Sequence, residues 1–138
     1  VRPLLDETGE MCWINLVVRP ETLTSMRRVV RAHLALWDQP SLSDVAELGV
    51  TELLSNVLRH TSGARCTVIM EPRGTAIRFC VVDPDPDPGL PGPRRPSGPA
   101  LWRTDGRGLM MIDALADEWG VEPVGSGKSV WFSLKAVG

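Results

Sequence analysis

Glu52, Asn56 and His60 recur at four-residue steps. On a helix, where each residue advances about 100°, they form one stripe. Gly49 and Val45 continue that stripe toward the N-terminus, and Leu42, Ala46, Val50, Leu53 and Val57 run beside it as an apolar core face. A carboxylate and an amide therefore project at the edge of a buried surface. An unpartnered carboxylate there is costly and needs water, a hydrogen-bond donor or a cation. The spacing by itself also fits a solvated helix flank, because such pairs are common. The chemical reading makes Asn56 a hard amide oxygen for Mg²⁺ and Glu52 the group that handles a water or a hydroxyl. His60 suits capping or packing near the helix end better than catalysis.

Two glycine-rich segments invite a phosphate-binding interpretation. Gly125-Ser126-Gly127-Lys128-Ser129 resembles the end of a Walker A loop, but the position that needs the first glycine holds Glu122. The following Val130-Trp131-Phe132-Ser133-Leu134 reads as a strand, whereas a phosphate loop needs a helix there to aim its amides. A tight turn between two strands is the better account. Asp105-Gly106-Arg107-Gly108-Leu109 sits where a helix begins, and glycines at a helix N-terminus let backbone N–H groups approach an anion. Asp83 ends the apolar run Phe79-Cys80-Val81-Val82, at a strand end where ligand contacts are frequent; turn initiation before Pro84 is the competing role.

The elements that must position these residues follow from periodicity. Cys12 to Val18 is rich in β-formers and reads as a strand after a loose lead-in over residues 1–11. Leu23, Met26, Val30 and Leu34 mark an amphipathic helix from Pro20 to about Trp37, ended by Asp38-Gln39-Pro40. A second helix runs from Ser41, with Asp44 completing a capping box, to about His60. Strands over 65–70 and 75–82 flank the hairpin signal Pro72-Arg73-Gly74. Residues 84–99 hold seven of the 12 prolines and form a long loop. A helix resumes near Gly108, and strands over about 120–124 and 129–136 close the chain. The order predicts one α/β domain spanning 1–138: an α+β two-layer sandwich with helices on one face of a mixed, mostly antiparallel sheet.

Composition narrows the function. A charge of −2 and 23% charged residues supply no broad attraction for nucleic acid, so direct DNA binding is not expected. Cys12, Cys66 and Cys80 are odd in number, scattered and set in apolar runs, which indicates buried free thiols in a reducing compartment. With no cationic leader and no run of roughly 20 apolar residues, the expectation is a cytoplasmic protein without a membrane role.

Four blocks then combine: Val50-Thr51-Glu52-Leu53-Leu54-Ser55-Asn56-Val57-Leu58-Arg59-His60, Val81-Val82-Asp83, Gly106-Arg107-Gly108-Leu109 and Gly127-Lys128-Ser129-Val130-Trp131. In this order they resemble the motifs of the GHKL ATPases. Within that group the chain is most similar to stand-alone anti-sigma-factor serine kinases of the RsbW and SpoIIAB type. The resemblance spans about residues 12–136 and implies the Bergerat fold, ATP and Mg²⁺. It implies that Asn56 holds Mg²⁺ against the phosphates and that Glu52 orients or deprotonates the attacking hydroxyl. Asp83 would accept a hydrogen bond from the adenine amino group, and Ser129 would support the adenine end. Gly106, Arg107, Gly108 and Leu109 would form the lid-to-helix turn around the phosphates, with residues 84–105 as the lid. The implied partners are an anti-anti-sigma protein of the STAS type, a sigma factor and a second copy of the chain. One departure stands out: the family continues Asp-x-Gly where this chain has Asp83-Pro84-Asp85.

The resemblance thus implies a regulatory serine/threonine kinase. The altered segment after Asp83 motivates the alternative, a catalytically inactive, nucleotide-dependent protein-binding module. A histidine-kinase catalytic domain fits less well, since neither His33 nor His60 has the context of a phosphoacceptor.

Overall fold

The computed structural model describes residues 11–60, 65–84, 108–125 and 127–137. Strand β1 (Cys12–Val17) leads into helix α1 (Pro20–Leu36) and helix α2 (Ser43–His60), then strands β2 (Arg65–Arg73) and β3 (Ala76–Asp83). Helix α3 (Gly108–Leu115) follows, and strands β4 (Glu118–Val124) and β5 (Gly127–Lys135) complete the order. Of the expected lid over 84–105 only Pro84 lies among the described residues, and of the expected lead-in over 1–11 only Met11.

Proline starts α1 where its missing N–H costs nothing, and the Arg19 N–H donates to Thr22 Oγ1 at 3.1 Å to close the first turn. Asp38 ends the helix in the left-handed region (φ 62°), a conformation that aspartate tolerates better than most residues. The expected helix start at Ser41 moves to Ser43, because Pro40–Leu42 forms a separate 3₁₀ turn. Its Leu42 N–H reaches back three residues to the Gln39 carbonyl at 3.1 Å. Gln39 is buried and clamps the segment after β5: its Nε2 donates to the Val137 carbonyl, and its Oε1 accepts from the Val137 N–H.

The five strands lie in the order β1-β2-β3-β5-β4, and every pairing is antiparallel. Two tight turns explain much of this. Gly74 (φ 61°) opens the turn between Arg73 and Ala76, and Gly125 (φ 58°) opens the one between Val124 and Gly127, each with the positive φ that short hairpins need. Residues 127–135 are therefore strand, which removes the Walker A reading on structural grounds.

Side chains alternate across the sheet. Val68 and Met70 of β2, Ile77, Phe79 and Val81 of β3, and Phe132 and Leu134 of β5 face the helices and are buried. Met26, Val30 and Leu34 of α1 and Ala46, Val50, Leu53, Leu54 and Val57 of α2 meet them from above. On the opposite face Arg78 lies over the Trp131 ring, 4.0 Å from its centroid. The Phe79 and Phe132 rings stack at 4.9 Å, and the Phe132 ring lies directly under Gly49. A Cβ at position 49 would come within 2.5 Å of Phe132 Cζ. The helical glycine is there because α2 sits down on an aromatic ring, and that contact fixes the helix's height over β5.

Candidate functional site

Helix α2 is held from both sides. Toward α1, the buried Glu47 receives both Arg31 Nε and Arg31 Nη2 at 3.1 Å, and Arg27 Nε donates to Thr51 Oγ1 at 3.1 Å. The paired guanidinium–carboxylate geometry is directional, so it fixes the rotation of α2 as well as its position. Toward α3, Val45 and Gly49 meet Met111, Ile112, Leu115 and Ala116 around a small apolar gap. Val45 and Gly49 are the covered end of the expected stripe, and the His60 side chain lies outside the described residues. Glu52 and Asn56 continue it as half-buried side chains. Asn56 Oδ1 accepts a hydrogen bond of 2.7 Å from Arg59 Nη2. Because a guanidinium carries only donors, the atom it meets is the amide oxygen, the atom that a hard cation would seek.

Asp83 ends β3 on the helix-facing side of the sheet and is only 2% exposed. The register places it beside Lys128 of β5 and aligns Cys66 of β2 with the same end of the sheet. Burial, and then the nearby Asp83 carboxylate, push the Cys66 thiol up from its ordinary value of 9.0 to about 12. Gly127 makes this end of the ladder possible, since any side chain there would run into the Asp83 carbonyl oxygen and the Pro84 backbone.

The Cys66 shift has a measurable consequence. The thiol stays protonated at neutral pH and resists thiolate chemistry. A thiol reagent at pH 8 is expected to modify Cys66 only after unfolding. Since its folded-state value lies above the unfolded one, Cys66 contributes stability fully below about pH 9 and loses it as pH rises toward about 12. Unfolding in denaturant at stepped alkaline pH checks this. The decline shrinks in Cys66→Ala if the assignment is right and is unchanged if it is wrong.

Ser129 is 4% exposed and its Oγ lies 2.7 Å from Cys80 Sγ. It pairs across the ladder with Val82, so the pleat turns its side chain to the face opposite that of Asp83. Gly108 opens α3, and Leu109 follows it in the first turn; Gly106 and Arg107 lie outside the described residues. The structure adds three participants: Arg59, Cys66 and Gly127. Arg59 was legible as the i, i+3 neighbour of Asn56. Cys66 beside Asp83 required the register, and the close approach at Gly127 required the backbone path. No helix among the described residues is long and apolar enough to cross a membrane.

The sequence profile described as "Histidine kinase-like ATPase domain" matches residues 16–134. The chain is 40% identical over 86 residues to the uncharacterized protein SCO4941 of Streptomyces coelicolor, a match covering 59% of this chain and 76% of that protein. Among solved structures, it superposes on the RsbU and RsbW domains of Rv1364c from Mycobacterium tuberculosis with a TM-score of 0.67 at 17% identity. That match covers 92% of this chain but spans 32% of the other, so the shared feature is the fold. With a profile running from the end of β1 to the end of β5, through both the Glu52–Asn56 helix and the Asp83 strand, the chain belongs to the histidine kinase-like ATPase domain family.

Proposed function

We propose that the protein is an ATP-dependent regulatory serine/threonine kinase of the anti-sigma-factor type, moving the γ-phosphate of ATP to a serine of a STAS-type partner. The observation that carries this reading is the Glu52–Asn56 stripe, held in place on α2 at the edge of the core, in a chain of this family. The donor set fits the metal. Asn56 offers a half-buried amide oxygen that already attracts a cationic group, and Glu52 adds a carboxylate one turn earlier. Among the described residues no three His, Cys, Asp or Glu side chains cluster as a cage. Mg²⁺ would be held there by Asn56, and it is a cation that commonly takes few protein ligands.

When bound, Mg²⁺ offsets charge on the phosphates. The chain's residues do the rest. Asn56 fixes where the metal and the phosphates lie. Glu52 accepts the proton of the serine hydroxyl as that oxygen bonds to the γ-phosphorus and ADP departs, a reaction that depends mainly on positioning and charge neutralisation. Asp83, a buried acceptor at a strand end, takes the adenine amino group. Ser129 supports the adenine end through the sheet rather than from Asp83's face. By the family resemblance Gly106, Arg107, Gly108 and Leu109 would be the turn nearest the phosphates, and of these only Gly108 and Leu109 lie among the described residues. A sigma factor and a second copy of the chain complete the assembly in this reading.

The test mixes the protein with ATP labelled on its γ-phosphate and a STAS-type partner. Label is expected on a partner serine, and Glu52→Ala is expected to slow transfer by about 10²- to 10⁴-fold, the usual contribution of a positioned base. If wild type and Glu52→Ala are equally inert while MgATP still binds, the second reading holds. That reading is a nucleotide-dependent binding module without catalysis, favoured by Asp83-Pro84-Asp85 where the family has Asp-x-Gly.

A further inference from the structure

The Asn56 amide oxygen already has an occupant. Arg59, an exposed residue in the last turn of α2, holds it at 2.7 Å through Nη2, three residues along the same helix. The pairing is locally favourable, since a cation near a helix C-terminus interacts well with the exposed carbonyls. The oxygen has a second lone pair, but a guanidinium and a divalent cation sharing it would repel each other. Both would stand within about 4 Å of each other, where like charges at a protein surface repel strongly.

We propose that Arg59 is a positioning residue that competes with Mg²⁺ for Asn56 Oδ1. Without metal the guanidinium occupies the amide oxygen. When the metal arrives with nucleotide, that bond breaks and Arg59 swings away from the oxygen. The inference rests on the nucleotide-site reading above and adds a coupling to it: Mg²⁺ binding and Arg59 release are one event. A residue serving only helix stability or general charge attraction would produce no such coupling through Asn56.

Calorimetry on the full chain separates these cases. ATP affinity is measured with Mg²⁺ and with a chelator, and the ratio of the two is the Mg²⁺ enhancement. Four proteins are compared: wild type, Arg59→Met, Asn56→Ala and the double variant. Removing the competitor is expected to raise the enhancement about 3- to 10-fold in Arg59→Met, the net worth of one ordinary hydrogen bond, since exposure discounts the charge of the donor. In the Asn56→Ala background the same Arg59 substitution is expected to leave the enhancement unchanged. An equal rise in both backgrounds would mean that only the charge of Arg59 matters, and no rise in either would mean no competition. Either result overturns the proposal while leaving the site intact. Failure of wild type to bind MgATP at all overturns the nucleotide reading, and this inference with it. Arg59 is exposed and Asn56 half-buried, so all four proteins are expected to fold; their circular dichroism spectra check that.

Discussion

Phe132→Ala is expected to cost about 3–5 kcal/mol in chemical denaturation, the upper range for an aromatic core truncation. Phe132 is 1% exposed, stacks on Phe79 at 4.9 Å and carries α2 through Gly49. Its removal opens a cavity that neither partner can fill. Phe79 is held in β3, and Gly49 has no side chain to advance. Against a total stability of about 5–15 kcal/mol, this loss would leave a domain of this size close to unfolding. Phe132→Leu keeps most of the volume and is expected to lose much less. Equal losses for both variants would show that the ring itself, and not the filled space, holds α2 in place. A loss below about 1 kcal/mol would show that α2 does not rest on this ring.

The same contact shows where sequence reasoning stops. The helix stripes were legible because a period of 3.6 writes them directly into Leu42, Ala46, Val50, Leu53 and Val57, and four of those five are buried. Glu52 and Asn56 were legible as a pair for the same reason. The hairpins announced themselves at Gly74 and Gly125, where short turns need positive φ. Gly49, in contrast, looked like a plain member of the polar stripe. Only the packing of β5 under α2 reveals that it is a contact surface.

Helix α2 starts two residues after Ser41, because Ser41 lies inside the 3₁₀ turn Pro40–Leu42 although Ser41 and Asp44 fit a variant capping pattern. The expectation of a mixed sheet came from counting helices between strands. Strand direction is set by the hairpins and by the placement of β5 between β3 and β4, which no local pattern records. Asp83 was identifiable as a strand end. Its near-total burial beside Cys66 depends on a register between segments that are distant in sequence.

The second large effect concerns Asn56. In this reading Asn56 would hold Mg²⁺ through its amide oxygen, and alanine removes that oxygen. The expected loss in MgATP affinity is about 10- to 100-fold, equivalent to one interaction with a charged partner. ATP affinity in the presence of a chelator should change little, because the lost oxygen acts through the metal. Asn56 is half-buried and bonded only along its own helix by Arg59 among the contacts described, so the substitution should spare the fold.

In this reading the Glu52–Asn56 edge of α2 is the metal and phosphate end of a working nucleotide site. Titrating MgATP into wild type and Asn56→Ala by calorimetry tests it most directly. Saturable binding by wild type is expected, weakened about 10-fold or more in Asn56→Ala, with the difference vanishing when Mg²⁺ is chelated. Equal MgATP affinity in the two proteins, or no binding by wild type, would contradict it.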